Sequence, residues 1–140
     1  MTMQVLFLCV ANSARSQMAE GLARAMALPG VVVHSAGSQP SRVRPEAIAV
    51  LDELGINILA QWSKSVSDVP VDDIDVVITL CAEEVCPVVL SDVRRLHWPL
   101  TDPAGLEEVP PHQRLQRFRA ARDVISNRLK AFFNDYRREA

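Results

Sequence analysis

The stretch whose reading decides the fold is Val5-Leu6-Phe7-Leu8-Cys9-Val10-Ala11-Asn12-Ser13-Ala14-Arg15-Ser16. Val5 to Leu8 is a short apolar run and predicts a buried strand. From Ser16 onward Met18, Leu22 and Met26 share one helical face, with Glu20 and Arg24 off it. Cys9 therefore falls where a strand ends and Arg15 where a helix begins. The residues between them are small or polar, so their backbone N–H groups can curl into an anion-binding nest at the positive end of the helix. Arg15 adds a planar fork of donors that suits a tetrahedral oxyanion. The same positive field favours the thiolate of Cys9, the form in which a cysteine is a nucleophile. Ser13 and Ser16 can donate hydrogen bonds to the sulfur or to the anion.

Outward from that stretch, strands and helices alternate. Val31-Val32-Val33 predicts a second strand, closed by the turn-forming cluster His34-Ser35-Ala36-Gly37-Ser38. His34 has no nucleophile near it in sequence, and a structural place at the strand end is expected. Pro45 opens a helix to Leu54, with Ala47, Ile48, Leu51 and Leu54 at core spacing and Gly55 as its stop. A loop from Ala60 to Val71 follows, carrying Trp62, Ser63 and Lys64. Ile74 to Leu80 is β-branched and apolar, as in an interior parallel strand, and it too runs into a cysteine, Cys81. Arg95 to Trp98 predicts a fourth strand. The last element is a long helix, His112 to Arg138, whose stripe of Leu115, Phe118, Ile125, Leu129, Phe132 and Tyr136 is interrupted by Arg122.

This alternation predicts one α/β domain over residues 1–140, a three-layer unit with a four-stranded parallel sheet in the order 2-1-3-4 flanked by helices. In that order the crossover direction reverses between strands one and three. Open α/β sheets bind ligands at such a reversal, beyond the strand C-termini. Cys9 and Cys81 sit at those two ends. Neighbouring strands lie about 4.8 Å apart, so a modest loop movement could bring the sulfurs together. Asp102-Pro103 follows the fourth strand and reaches the same edge. Asp102 reads equally as a proton donor to a departing oxygen or as the start of a simple turn.

Composition limits the alternatives. With 49% hydrophobic and 23% charged residues, the 140-residue chain can bury a core without staples. A net charge of −2 gives no reason to expect nucleic acid, and the arginines of the last helix read as a solvated face among Asp123, Asp135 and Glu139. No apolar run approaches the ~20 residues of a membrane span, and the N-terminus lacks the basic region of a secretory signal. A cytoplasmic monomer is expected, its three cysteines kept reduced unless a mechanism oxidises them. The odd count with no zinc-ligand pattern points to thiol chemistry and to no metal.

Cys9, the five residues after it and Arg15-Ser16 match the signature of the low-molecular-weight tyrosine phosphatase superfamily. The stretch from Cys9 to Gly21, with Asn12-Ser13 and Arg15-Ser16-Gln17-Met18-Ala19-Glu20-Gly21, most resembles the arsenate reductases of that fold. His97-Trp98 and Asp102-Pro103-Ala104-Gly105 resemble the same family, whereas the phosphatases typically have a tyrosine where Ala104 stands. The resemblance implies an arsenate or phosphate oxyanion held by Val10, Ala11, Asn12, Ser13, Ala14, Arg15 and Ser16, with Asp102 as the acid. It further implies a thiol relay in which Cys9 attacks arsenate, Cys81 attacks Cys9, and Cys86 attacks Cys81. The resulting Cys81–Cys86 disulfide passes to an external dithiol protein, with no tightly bound cofactor. Thioredoxin is the expected reductant. Glutaredoxin with glutathione is the alternative, because only four residues separate Cys81 from Cys86, fewer than in the best-known thioredoxin-coupled members. A plain phosphatase is the other alternative, and an arsenite- or oxidant-sensing thiol module the non-enzymatic one. Some members bind potassium through residues matching Asn12, Glu20 and Ser35. Here Lys64 stands where they have an aspartate, and it reads either as a built-in replacement for the ion or as an exposed loop lysine.

Residues 81–86 pose a geometric question of their own. In a helix their Cα atoms would be about 8.7 Å apart with side chains about 140° apart around the axis, and in an extended strand roughly 16 Å apart. A disulfide needs about 7 Å or less. The segment is expected to loop back on oxidation.

Overall fold

A computed structural model of the chain describes residues 2–26, 28–82, 93–105 and 108–139. Four strands, β1 (Met3–Cys9), β2 (Val31–Gly37), β3 (Val76–Thr79) and β4 (Arg94–His97), form one parallel sheet in the order β2-β1-β3-β4. Among the described residues three helices, α1 (Arg15–Met26), α2 (Pro45–Asp52) and α3 (Pro111–Glu139), accompany them. The sheet order is the one expected from strand–helix alternation and right-handed crossovers. Val5, Leu6, Phe7 and Leu8 are fully buried, as β1 lies between two neighbours and is covered on both faces. One core gathers Val5 and Phe7 with Met18 and Leu22 of α1, Val50 and Leu51 of α2, and Phe118, Ile125 and Leu129 of α3. A second lies across the sheet, with Leu6, Leu8, Ala36, Val69, Ile74 and Val77. Each such large side chain contributes about 1.5–3 kcal/mol by leaving water.

Several boundaries differ from the sequence expectation. The second strand does not stop at Val33; it runs through His34-Ser35-Ala36 to Gly37, because β1 offers a complete ladder from Met3↔Val31 to Cys9↔Gly37. Tertiary pairing overrides the turn preference of those residues. His34 is thus interior to β2, paired with Leu6, and its Nε2 lies 2.8 Å from Gln4 Oε1. Burial, with the nearby Arg24 charge, lowers its pKa below the ordinary 6.5. Helix α2 ends at Asp52, two residues early, and Leu54 is half exposed while Val50 takes the core position. Gly55, at φ +76°, closes the end as expected, with Ile56 N–H donating back to Leu51 O. Short 3-10 turns at Val66–Asp68 and Val71–Asp73 interrupt the loop before β3. Cys86 and the rest of the segment expected to loop back lie outside the described residues.

Arg122, which breaks the apolar stripe of α3, is nonetheless buried. It donates to Val50 O at 2.8 Å and to Glu53 Oε1 at 2.8 Å, so the guanidinium knits α3 to the end of α2. No helix among the described residues is long and apolar enough to cross a membrane.

Candidate active site

The site lies beyond the C-terminal ends of β1 and β3, where the crossover direction reverses. Cys9 ends β1 and is a free thiol, 2% exposed. Residues 10–14 wrap in front of it, and Arg15 is the first residue of α1. Cys9, Val10, Ala11, Ser13, Ala14, Arg15 and Asp102 line a cavity of about 230 Å³, large enough for a tetrahedral oxyanion. Arg15 is buried, and its Nη1 donates to Leu100 O at 2.9 Å and to Leu80 O at 3.4 Å. These carbonyls belong to the loop that carries Asp102 and to the residue before Cys81. One guanidinium therefore joins the oxyanion loop to both of the other elements of the site.

The loop's shape depends on Asn12, which is wholly buried and adopts a left-handed conformation at φ +47°. That conformation is sparsely populated for a residue other than glycine, so the surroundings must impose it. The backbone N–H of Lys64 donates to Asn12 Oδ1 at 2.7 Å. A backbone N–H can only donate, so this bond fixes which end of the amide is oxygen. Asn12 Nδ2 then donates to Ser16 Oγ at 2.7 Å and to Ser35 Oγ at 3.0 Å. Ser35 in turn donates its hydroxyl hydrogen to Glu20 Oε1, a carboxylate that can only accept. Ser16 Oγ lies 2.8 Å from Cys9 Sγ, and once the sulfur is a thiolate only the hydroxyl can donate. Donation thus runs outward from the Asn12 amine along two branches, one through Ser35 to the Glu20 carboxylate and one through Ser16, whose hydrogen faces the Cys9 sulfur.

Glu20 anchors the other end. It was expected off the apolar face of α1, yet it is 1% exposed, because Lys64 Nζ at 3.1 Å and Arg24 Nη1 at 3.1 Å meet its two oxygens. Lys64 is itself buried, so it is not the exposed loop lysine of one reading; Nζ also donates to Trp62 O at 2.7 Å. Asn12, Glu20, Ser35 and Lys64 are brought together as a single cluster behind the oxyanion loop. Among the described residues no group of His, Cys, Asp and Glu is arranged to hold a metal ion.

Three supports went unnoticed in the sequence. Gln17 is fully buried and donates to Asn12 O, Asn12 Oδ1 and Trp62 O, while Gln61 donates to it in turn. Ser63 Oγ donates to Ala11 O. Gly37 lets the loop pass close to β2: a Cβ there would lie 2.4 Å from Val10 O and 2.9 Å from both Asn12 N and Cys9 O. Only the glutamine left a trace, as a polar residue on the inward side of the first helical turn.

Cys81 lies two residues past β3, is 2% exposed, and is disulfide-bonded, whereas Cys9 is not. Asp102 sits in the loop after β4, lines the cavity, and accepts Ala104 N–H through Oδ1 at 3.0 Å. That bond is the turn reading of Asp-Pro, and a place on the cavity wall is what the proton-donor reading requires.

Comparison with known proteins agrees with this geometry. Residues 4–140 match the family model described as low molecular weight phosphotyrosine protein phosphatase. An arsenate reductase of Halalkalibacterium halodurans is 38% identical over 130 residues, 91% of this chain and 93% of that one. A glutaredoxin arsenate reductase of Synechocystis is 38% identical over 134 residues, 91% of this chain and 93% of its own. The solved structure of an arsenate reductase in the phosphate binding state superposes with a TM-score of 0.77 at 36% identity, covering 96% of this chain and 98% of the other. With a nucleophile loop built this way on the doubly wound sheet, the chain belongs to the low molecular weight phosphotyrosine protein phosphatase family, on the side of it where the arsenate reductases lie.

Proposed function

We propose that the chain reduces arsenate to arsenite by a relay through Cys9, Cys81 and Cys86. The observation that carries this reading is the pairing of two thiol states at one sheet edge. Cys9 is free in the oxyanion cavity, and Cys81, at the end of the neighbouring strand, is already in a disulfide. That is the thiol pattern left when such a relay has run to its end. A phosphatase needs one thiolate and water, and has no use for a second redox-active cysteine there.

In the first step Cys9 thiolate attacks arsenic, an S–As bond forms, and the departing hydroxide takes a proton from Asp102. Arg15 and the N–H groups of residues 10–16 hold the remaining oxygens, whose charge is stabilised where water is excluded. Cys81 thiolate then attacks the Cys9 sulfur. The S–As electron pair stays with arsenic, so As(V) leaves as As(III) and two thiols become one disulfide. Cys86 thiolate attacks Cys81 and frees Cys9. An external dithiol reduces the Cys81–Cys86 bond, and thioredoxin is the reductant proposed. The Synechocystis relative is named for glutaredoxin, which keeps that protein with glutathione as the competing arm of the test.

The assay follows NADPH consumption with arsenate, using thioredoxin and its reductase in one arm and glutaredoxin, glutathione and glutathione reductase in the other. Steady turnover is expected in the first. Cys9→Ser should abolish turnover in both arms, and Cys86→Ser should permit one arsenite per chain and then stop. Normal cycling of Cys86→Ser with thioredoxin refutes the relay's ending, and turnover in the glutathione arm alone replaces the reductant.

A further inference from the structure

Four successive carbonyls of the oxyanion loop, those of Val10 to Ser13, are each held by a donor from outside the loop. Gln39 N–H donates to Val10 O at 2.9 Å, Ser41 N–H to Ala11 O at 3.2 Å and Arg44 N–H to Ser13 O at 2.9 Å. Ser63 Oγ is a second donor to Ala11 O, at 3.0 Å. Asn12 O is the exception. Among the described residues it accepts from no backbone N–H, and its donor is the Gln17 side chain, with Nε2 at 3.1 Å. Three carbonyls are therefore held by main chain, which no side-chain substitution deletes, and one depends on a side chain alone.

Gln17 lies in the first turn of α1 and is wholly buried. Helical side chains lean toward the N-terminus, so from this position the glutamine reaches back over the loop before the helix. Its amide has one orientation. Asn12 O and Trp62 O, at 3.1 and 2.9 Å, can only accept, so Nε2 faces them, and Oε1 takes a hydrogen from Gln61 Nε2 at 2.8 Å. The same Nε2 lies 2.9 Å from Asn12 Oδ1, so the glutamine grips Asn12 by main chain and side chain together. A trans peptide is planar, with its C=O and N–H on opposite sides. Fixing Asn12 O toward Gln17 therefore turns the N–H of Ser13 the other way. No described residue accepts that N–H, and Ser13 lines the oxyanion cavity. By the same geometry Gln39 and Arg44 turn the N–H groups of Ala11 and Ala14, which line it too.

Resting on the reading of this loop as an oxyanion site, we infer that Gln17 is a positioning residue for arsenate. Through Asn12 O it holds the Asn12–Ser13 peptide so that Ser13 N–H donates to the bound oxyanion, while the glutamine itself touches no substrate. Asn12 is fully buried, so without the Gln17 amide its carbonyl would be a buried acceptor with no donor. The peptide escapes that cost by rotating its carbonyl toward the wet cavity. The rotation would set a carbonyl oxygen against the anion where a N–H had been, exchanging an attraction for a repulsion. One buried amide thus decides the sign of one of the loop's contacts.

The test titrates inorganic phosphate into the reduced full-length chain and follows backbone amide proton shifts by NMR. In the wild type the amide protons of Ala11, Ser13 and Ala14 should all move downfield as the anion binds. Gln17→Met nearly keeps the volume and removes the donor. There the Ser13 shift should be lost while those of Ala11 and Ala14 remain, because backbone donors still hold their peptides. Phosphate affinity and arsenate kcat/KM should fall about tenfold, the order of one hydrogen bond to a charged group. Gln17→Glu supplies a donor only when its carboxyl is protonated, and burial favours that form. Its phosphate affinity relative to the wild type should recover as pH falls, whereas the Gln17→Met ratio should not. A Ser13 shift retained in Gln17→Met, or all three shifts falling together, makes Gln17 a packing residue and overturns the inference. A wild-type Ser13 amide that stays still while Ala11 and Ala14 move overturns it too, and that result needs no variant to fold. If phosphate moves none of the three in the wild type and arsenate is not reduced, the reading of the oxyanion site falls, and the inference with it.

Discussion

Two carboxylates in this molecule, Glu20 and Glu53, each face two cations, and they do opposite work. Glu20 is buried behind the oxyanion loop between Lys64 and Arg24. Glu53 is exposed at the end of α2, where Arg119 grips it in a fork at 2.7–3.0 Å and Arg122 adds a bond at 2.8 Å. The exposed pair has the better geometry, yet water screens it, and such contacts contribute little. The buried pair was costly to desolvate, and its value lies in what it directs. It takes the Ser35 hydrogen, so that hydroxyl accepts from the Asn12 amine, and the same amine donates to Ser16, which touches the sulfur of Cys9. Number and length of ion pairs do not reveal which one matters. Burial and connectivity do.

The sharpest way to break the contrast is to remove one cation from each carboxylate. Lys64→Met keeps the stem and deletes the charge, leaving Glu20 in the interior with the half-exposed Arg24 as its remaining ion-pair partner. Uncompensated burial of that kind costs about 1–3 kcal/mol, more if Arg24 cannot adjust. Arsenate turnover should fall about tenfold, because a loop that wavers at Asn12 no longer presents its donors in place. Chemical unfolding and the coupled assay check the two effects, and a fully active, fully stable Lys64→Met reduces the cluster to packing. A smaller effect sharpens the same point. If Lys64 Nζ stands in for a cation, wild-type activity should be the same in potassium and sodium at fixed ionic strength. Several-fold stimulation by potassium would sink that equivalence.

How much of this could be read in the sequence follows from distance along the chain. Cys9, the loop and Arg15 are contiguous, and a strand running into a helix is a local pattern, so the cavity with its thiol and guanidinium was legible. The sheet order followed from alternation alone. The extent of β2 did not, since His34 to Gly37 prefer turns until β1 pairs with them and Lys64 O accepts the N–H of Gly37. Gln61, Ser63 and Lys64 reach the loop from some 44 to 52 residues away, out of a segment with no period to read. Glu20 was grouped with Asn12, Ser35 and Lys64 by the resemblance alone, and periodicity gives no sign of its burial. On a helical wheel it is a polar residue off the core stripe, and only the arrival of Lys64 turns that side inward.

The least effect is expected at Glu53, and its pH dependence separates it from Glu20. Hydrogen bonds from Arg119 first, and from Arg122, hold the Glu53 carboxyl at a pKa of about 2, below its ordinary 4.5. A folded-state pKa below the unfolded one means that the unfolded chain binds more protons between the two values. The contribution is therefore full above pH 4.5 and is lost as pH falls through about 2. The wild type should melt slightly higher than Glu53→Gln at neutral pH. That small gap should narrow on acidification below 4.5 and close near 2. Added salt should narrow it too, because Glu53 and Arg119 both face water. Melting curves of the two proteins across that range check the sign. A gap that is unchanged at pH 2 would mean that Glu53 acts by shape rather than by charge, and that the surface cluster, like the buried one, is valued for what it positions.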